Sequence, residues 1–307
     1  MTTTPRAFTL LVNPASGGGA APEAVVPVAR RLRDAGAQVE VTYSPGPQAT
    51  EQLVSGAVAR GDVVVSVGGD GMLSSLAGAV SRLGGTLGVL PAGRGNDFAR
   101  MLGLPADPAE QADVLLHGTV RPVDLISYVA PGQQPRLVAG SVYAGVDART
   151  AALVDRVRWM PLRLQYPFAT VRSLATYQPG HYRVVVDGVA AEYDAATVVV
   201  ANSAFYGKGM KIAPAATLDD GLLDVIIIEA ASRVDLIRKM PKVYDGQHVE
   251  FDAVHVLRGR EVELRADARA PVPVGGDGEP LGVLPGLAEE AAVATVLPGA
   301  LDVIAPS

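Results

Sequence analysis

Residues 62–90 read DVVVSVGGDGMLSSLAGAVSRLGGTLGVL, and this stretch decides the fold of the N-terminal part of the chain. Asp62–Val67 is an almost continuous β-branched run, which is typical of a strand buried on both faces. Met72–Leu83 has the apolar spacing of a helix, and Thr86–Leu90 predicts a second strand. A strand, a helix and a strand in this order predict parallel pairing with a right-handed crossover.

The same alternation extends to both sides of this stretch. A further helix is expected from about Asn96, and we predict that residues 1–125 form a doubly wound α/β domain with a parallel sheet. The other predicted strands and helices of this domain are Phe8–Val12, Ala24–Leu32, Gln38–Tyr43 and Thr50–Arg60.

From about Val123 the pattern changes to short strands separated by turns such as Asp187-Gly188 and Asp220-Gly221. This pattern predicts an antiparallel, sandwich-like β domain at residues 126–307. Ala151–Tyr177 is an exception, because its apolar residues have helical spacing. About the last 15 residues are expected to pack back on the first domain.

The composition excludes several classes of protein. The chain has 307 residues, of which 49% are apolar and 19% charged, as in packed globular proteins. A net charge of −6 argues against a general nucleic-acid binder, which needs a basic surface. The absence of cysteine excludes disulfides and thiolate metal sites. Because neither a signal-peptide pattern nor an apolar run of membrane-spanning length is found, we expect a cytoplasmic protein.

Three glycine-rich loops each follow a predicted strand of the parallel sheet. They are Asn13–Gly19, Gly68–Gly71 and Pro91–Asp97. Because the carboxyl ends of parallel strands lie along one edge of the sheet, we expect the loops to converge on one crevice. Glycines let backbone N–H groups approach an anion, and a following helix N-terminus favours its negative charge. The sequence therefore predicts a phosphate-binding site.

Asp70 narrows the choice of phosphate ligand. A carboxylate in such a loop repels phosphates unless Mg²⁺ bridges the two, so a nucleoside triphosphate with Mg²⁺ fits better than a dinucleotide. Phe98 stands where the dinucleotide-binding motif needs a small residue after Gly93 and Gly95. The lysine-containing phosphate loop and the protein-kinase signatures are absent from the sequence.

Seven short motifs follow one another along the chain. They are Asn13-Pro14 with Ser16-Gly17, Gly68-Gly69-Asp70-Gly71, Leu90–Ala99, Tyr206–Pro214, Asp220–Val225, Asp277-Gly278-Glu279 and Leu297–Leu301. In order and spacing this set resembles the diacylglycerol kinase catalytic family, over essentially the whole chain. That family includes bacterial soluble lipid kinases, sphingosine kinases and ceramide kinases, and it is more distantly related to NAD kinases.

The resemblance implies an ATP-dependent lipid kinase with ATP and Mg²⁺ as cofactors. MgATP is expected on the α/β domain and the acceptor lipid on the β domain, with transfer in the cleft between them. Diacylglycerol is the acceptor that we expect first, and its product is phosphatidic acid. The alternatives are a sphingoid-base or other long-chain-alcohol kinase, an NAD kinase, and a catalytically silent nucleotide-binding regulator.

The resemblance also assigns residues to the nucleotide. Met72 and Arg94 stand where the family usually has threonine, and the guanidinium of Arg94 is suited to pair with a phosphate. Asp70 is expected to hold Mg²⁺ through the ATP phosphates. The expected nucleotide-binding residues are Asn13, Ser16, Gly17, Thr42, Gly68, Gly69, Asp70, Gly71, Met72, Gly93, Arg94, Asn96 and Asp97.

The motif Asp277-Gly278-Glu279 is where the resemblance places a general base for the acceptor hydroxyl. Asp277 is the residue we expect to be the base, with Glu279 as the alternative. Taken without the family, the same residues favour a plain hairpin turn. Asp124 follows a predicted strand and is expected either to link the metal to the base or to cap that strand.

The segment from Thr217 to Leu222 resembles a structural Mg²⁺ site of bacterial family members. The implied ligands are the Asp220 carboxylate and the carbonyl groups of Thr217 and Leu222, an oxygen set that suits this cation. The alternative is an ordinary Asp-Gly turn.

A basic and apolar segment at residues 156–174 predicts peripheral contact with an anionic membrane. No acidic residue lies between Arg156 and Val186, while Arg158 and Arg163 lie near Trp159. The alternative is that these residues pack a helical hairpin onto the β domain. We therefore expect transient localisation at the inner face of the membrane, a lipid substrate, no nucleic-acid partner and, in addition, a homodimer.

Overall fold

The structure is a computed structural model that describes residues 6–44, 47–93, 95–157, 160 and 162–307. The chain divides into two compact units. Unit 1 contains the chain up to Leu125 together with Pro298–Ser307, and unit 2 contains Ile126–Leu297. Arg94 of the expected nucleotide site and Arg158 and Trp159 of the expected membrane segment lie outside the described residues.

Unit 1 is built on a parallel sheet with the strand order β2, β1, β3, β4. Asp302 and Val303, near the end of the chain, add a further parallel pairing beside β4. The predicted parallel α/β fold is confirmed. Its elements are β1 (Ala7–Val12), α1 (Ala21–Asp34), β2 (Gln38–Tyr43), α2 (Pro47–Arg60), β3 (Val63–Gly68), α3 (Asp70–Arg82), β4 (Thr86–Pro91), α4 (Asp97–Met101) and α5 (Pro108–His117).

The core of unit 1 explains why these segments fold as they do. All six residues of β3 are buried, as expected for a central parallel strand covered by helices on both faces. On α1, Val25, Val28 and Leu32 are buried at helical spacing and pack against the sheet. Three helices begin earlier than predicted: α1 at Ala21, α2 at Pro47, a residue favoured in the first turn, and α3 at Asp70.

Unit 2 is an antiparallel β structure, which confirms the predicted class. The strand order is β14, β13, β7, β9, β8, β12, β15, and β9 also pairs with β10, which pairs with β11. Its elements are β5 (Thr119–Val129, which begins in unit 1), β6 (Arg136–Val138), β7 (Ser141–Gly145), α6 (Val146–Arg156), α7 (Leu162–Ala175), β8 (Gly180–Val186), β9 (Val189–Ala201), β10 (Leu223–Glu229), α8 (Arg233–Lys239), α9 (Pro241–Tyr244), β11 (Val254–Gly259), β12 (Glu261–Asp267), β13 (Pro273–Gly276), β14 (Glu279–Val283) and β15 (Ala292–Ala305, which ends in unit 1).

The helical exception at Ala151–Tyr177 is present as α6 and α7. Helices α8 and α9, in contrast, were not anticipated from the sequence. Within the described residues, none of the helices combines the length and the apolar character needed to cross a bilayer.

Candidate active site

The three glycine loops of unit 1 converge at the carboxyl ends of β1, β3 and β4. The backbone N–H of Asn13 donates to the carbonyl of Val67 at 3.0 Å, and that of Ala92 donates to the carbonyl of Gly68 at 2.9 Å. The Oγ of Ser16 accepts a hydrogen bond from the N–H of Gly69 at 3.3 Å. Each loop therefore contacts a neighbouring one through the polar groups at its strand end.

Two glycines make this convergence sterically feasible. A Cβ on Gly93 would lie 2.3 Å from the Cα of Gly69, so any side chain there would push two of the loops apart. Gly17 has φ +65°, and a Cβ there would lie 2.5 Å from the carbonyl oxygen of Ala92. The glycines therefore bring backbones, and with them N–H groups, close together, which is what an anion site requires.

Asp70 is the first residue of α3 and lies at this junction. Its Oδ1 accepts a hydrogen bond from the N–H of Phe98 at 3.3 Å, which ties the start of α3 to α4. Gly69 precedes α3 as a cap that has no side chain, so the N–H groups of the first turn are not capped by it. Those N–H groups favour a phosphate, and the adjacent carboxylate supplies an oxygen ligand that suits Mg²⁺.

The remaining expected nucleotide residues of unit 1 lie on the same loops or next to them. Asn96, at φ +54°, accepts from the N–H of Gly93 at 2.9 Å and closes its loop, and Asp97 is buried behind it. Met72 lies against Gly68. Thr42 lies near the carboxyl end of the edge strand β2, opposite Leu11 of β1.

Asp124 is buried in unit 1, where its Oδ1 accepts a hydrogen bond from the N–H of Gly299 at 2.7 Å. This bond joins β5 to the returning C-terminal strand within the same unit. This hydrogen bond is the contact that we expect if Asp124 caps the strand.

In unit 2, Asp277 lies in the two-residue turn between β13 and β14. Its carboxylate accepts hydrogen bonds from three backbone N–H groups of the loop between β6 and β7: those of Ala139 at 2.8 Å, Gly140 at 3.0 Å and Ser141 at 2.9 Å. Both carboxylate oxygens therefore act as a brace for this loop.

Glu279 has the opposite environment. Its side chain is exposed and makes no hydrogen bond or ion pair with any residue that the structure describes. The Asp-Gly turn that precedes it is held by a hydrogen bond from the N–H of Gly278 to the hydroxyl of Tyr143 at 3.0 Å. The Asp277 carboxylate is therefore held by three backbone donors and that of Glu279 is exposed, and which of the two is the base stays a prediction.

An apolar cavity lies in unit 2, between β9, β10, α6 and the segment 232–254. Its empty space, the solvent-open part included, is about 860 Å³. Two carboxylates line it, Asp147 at the start of α6 and Glu229 at the end of β10, and Asp147 is half-buried. Asp147 accepts from the hydroxyl of Thr197 at 2.6 Å and from that of Tyr206. Burial raises the pKa of Asp147 above its ordinary value, and these two hydrogen bonds oppose that shift.

The cavity and the Asp-Gly-Glu turn are connected through two tyrosines. The ring of Tyr143, whose hydroxyl holds the turn, lies 5.8 Å from the ring of Tyr206, which lines the cavity and binds Asp147. Sequence reasoning missed Asp147 and Tyr143. Tyr206 belongs to the motif Tyr206–Pro214. Residues 143, 147 and 206 are brought together only by the fold, so their spacing in the sequence does not indicate that they are neighbours.

The loop from Thr217 to Leu222 carries the expected structural metal ligands. Asp220 accepts from the N–H of Leu222 at 3.0 Å with one oxygen and pairs with the guanidinium of Arg258 through the other. The same guanidinium lies 3.3 Å from the buried Asp224, whose pKa is raised by burial and lowered by Arg258. The oxygen set suits Mg²⁺, and in this structure Arg258 supplies the positive charge beside Asp220.

Two family models match the N-terminal and the C-terminal part of the chain separately. Residues 7–128 match the diacylglycerol kinase catalytic domain, and residues 140–305 match the YegS C-terminal NAD kinase beta sandwich-like domain. A diacylglycerol kinase of Mycobacterium tuberculosis is 34% identical over 97% of this chain and 94% of its own length. The chain belongs to the diacylglycerol kinase family. The diacylglycerol kinase of Bacillus subtilis is 26% identical over 90% of this chain and 91% of its own length.

A solved structure shows the same fold. The crystal structure of a diacylglycerol kinase from Bacillus anthracis superposes with a TM-score of 0.70 at 18% identity, over 99% of this chain and 98% of that one. As a member of the diacylglycerol kinase family, the chain is a lipid kinase, a phosphotransferase with an alcohol group as acceptor. The expected resemblance is therefore confirmed, and the catalytically silent alternative is not favoured.

Proposed function

We propose that this lipid kinase uses ATP and Mg²⁺ to phosphorylate the free hydroxyl of diacylglycerol, giving phosphatidic acid. The observation that carries the acceptor is the apolar cavity of unit 2, whose lining includes the half-buried carboxylate of Asp147. Its lining is mostly apolar with a few polar groups, which is the character of small-molecule sites. Such a cavity suits an acyl chain whose polar end meets Asp147, Thr197 and Tyr206.

The nucleotide end of the reaction is supported by the converging loops of unit 1. The N–H groups at the start of α3 and in the loops around Ser16 and Gly93 are suited to hold the phosphates. Asp70 would hold Mg²⁺, which neutralises charge on the β- and γ-phosphates when it is bound. These groups fit Mg²⁺ and phosphates, because the Asp70 carboxylate stands beside N–H groups that Gly69 does not cap. The lysine of an ordinary phosphate loop is absent from the sequence.

The proton of the acceptor hydroxyl goes to Glu279 in this proposal. A general base has to reach the acceptor hydroxyl, and this favours the exposed Glu279 over Asp277, which is held by three backbone N–H groups. As the hydroxyl oxygen attacks the γ-phosphorus, Glu279 takes its proton and ADP leaves. Asp277 acts as a positioning residue, since it fixes the turn that presents Glu279.

Diacylglycerol is favoured over a sphingoid base by the state of Asp147. A sphingoid base carries an ammonium group, whose natural partner in an apolar cavity is an ionised carboxylate. Burial raises the pKa of Asp147, which weakens it as such a counter-ion and favours a neutral lipid. The M. tuberculosis relative, which is 34% identical, is named a diacylglycerol kinase, and this name also supports diacylglycerol as the acceptor.

The test is transfer of phosphate from radiolabelled ATP to a panel of lipids in mixed micelles. The panel contains diacylglycerol, monoacylglycerol, ceramide and sphingosine, with NAD as a non-lipid control, and each is assayed with Mg²⁺ and with a chelator. We expect labelled phosphatidic acid that depends on Mg²⁺. Faster labelling of sphingosine or of NAD, or unchanged turnover in the chelator, would contradict the proposal.

A further inference from the structure

The helical segment 233–244 has two apolar sides. The backbone stays helical from α8 into α9, because Met240 between them has φ −53° and ψ −39°. On one side Leu236, Met240 and Val243 line the cavity of unit 2. On another, Val234, Ile237 and Tyr244 are 62%, 42% and 49% exposed.

The exposed apolar residues form one stripe. Val234, Ile237, Pro241 and Tyr244 are all exposed, and their spacing of three, four and three residues places them on one face of a helix. Three large apolar side chains in one stripe are more than the scattered single residues that a soluble surface normally shows. We call this stripe, together with Arg233 and Arg238, the α8–α9 surface.

The charge on this segment is positive, in a chain whose net charge is −6. Residues 233–244 contain four basic residues and one acidic residue, Asp235, which is engaged with the Ser232 hydroxyl at 2.6 Å. Lys239 lies over the ring of Phe251, and Lys242 donates to Gln247. Arg233 and Arg238 are exposed, and neither has a partner within the part of the chain that the structure describes.

A neighbouring helix extends the same character. Helix α7 contacts α8, and its Phe168 and Val171 are exposed. The guanidinium of Arg172 lies 6.0 Å from the centre of the Phe168 ring. Exposed apolar side chains with arginine beside them therefore continue from the α8–α9 surface onto α7.

We propose that the α8–α9 surface docks the enzyme on an anionic lipid bilayer. The stripe enters the interface between headgroups and acyl chains, while Arg233 and Arg238 meet the anionic headgroups. The proposal deepens the lipid-kinase function, since the same helices line the acceptor cavity. A helix with its side chains is about 10 Å across, so docking brings the cavity wall within one helix diameter of the membrane that holds the substrate.

The test is co-sedimentation of the full chain with vesicles of phosphatidylcholine containing 0% or about 30% phosphatidylglycerol, at several salt concentrations. The test variants are Arg233→Gln/Arg238→Gln and Val234→Ser/Ile237→Ser. The matched control is Arg136→Gln/Arg269→Gln, which removes two exposed arginines elsewhere in unit 2. Activity on a water-soluble short-chain diacylglycerol is measured in parallel, because it does not require docking.

We expect the wild type and the control to bind the anionic vesicles, more weakly as salt rises. The loss of Arg233 and Arg238 should weaken binding about thirtyfold, since each basic residue near the surface contributes about fivefold. Short-chain activity should stay at the wild-type level in every variant. Equal binding by the arginine variant and the wild type, or no binding of the wild type at low salt, would overturn the docking surface. Absence of short-chain activity in the wild type would instead contradict the proposed function and leave the vesicle result to decide docking by itself.

Discussion

The two units build their chemistry in different ways. In unit 1, each functional group lies on a glycine loop directly after a parallel strand, so sequence neighbours such as Gly68 and Asp70 already mark the site. In unit 2, the acceptor machinery joins residues that are far apart in sequence, such as Asp277 with Ala139 and Asp147 with Thr197. A phosphate site made from strand ends is therefore readable as motifs, whereas a lipid site made across an antiparallel sheet is not.

The largest effect is expected for Asp70→Asn in unit 1. The amide keeps the shape and the hydrogen bond from Phe98 but removes the charge that holds Mg²⁺. We expect activity to fall roughly 10⁴-fold, in line with several kcal/mol of charge stabilisation by a metal, with an unchanged melting temperature. The measurement is Mg²⁺-dependent phosphorylation of diacylglycerol.

Asp113→Asn, on an exposed carboxylate that pairs with Arg31 in the same unit, is the control and should keep full activity. If Asp70→Asn retains near-normal turnover with the same Mg²⁺ dependence, Asp70 is not the metal ligand.

The Asp-Gly-Glu turn offers a direct comparison of two carboxylates in unit 2. Glu279→Gln should lower kcat about 10³-fold, within the usual size of a general-base effect, and leave the melting temperature unchanged. Asp277→Asn, in contrast, should lower the stability of the protein. It removes a charged acceptor of three backbone hydrogen bonds, so we expect a loss of about 3 kcal/mol in the free energy of unfolding.

Kinetics and thermal unfolding of both variants measure this difference. A stable Asp277→Asn protein with a crippled kcat, beside an active Glu279→Gln protein, would return the base to Asp277.

The same contrast explains what could be predicted from the sequence. The β-branched run of β3 and the glycine loops made the parallel sheet and the convergence of the loops predictable, because burial on both faces and close backbone approach each leave a local signature. The bracing of Asp277 by three backbone N–H groups of residues 139–141 could not be predicted, because backbone donors leave no sequence signal. The cavity was not predicted either, because its wall includes helices α8 and α9, which the sequence analysis did not anticipate.

A smaller effect is expected from methyl groups added to two glycines of unit 1. Gly93→Ala places a Cβ 2.3 Å from the Cα of Gly69, so backbone must move and stability should fall by about 1–3 kcal/mol, with a higher KM for ATP. Gly56→Ala, in the interior of α2 with only the end of Arg60 nearby, should stabilise by about 0.5–1 kcal/mol. Chemical denaturation measures both, and a neutral Gly93→Ala would mean that the loops are not in close contact.

The smallest effect concerns the pH dependence of Asp147 in unit 2. Because burial raises its pKa, the folded protein holds this proton more tightly than the unfolded chain does. The resulting stabilisation is fully present below the ordinary carboxyl pKa of 3.8 and is lost as pH rises through the raised value. The Asp147→Asn variant has no carboxyl group at this position, so it does not lose this stabilisation as pH rises.

The free energy of unfolding of Asp147→Asn, minus that of the wild type, should therefore increase with pH above about pH 4, by about 1.4 kcal/mol for each unit by which the pKa is raised. Urea unfolding between about pH 4 and pH 8 measures it. A difference that decreases with pH would show that the hydrogen bonds from Thr197 and Tyr206 outweigh burial. In that case Asp147 is ionised, and the cavity suits the ammonium group of a sphingoid base better than neutral diacylglycerol.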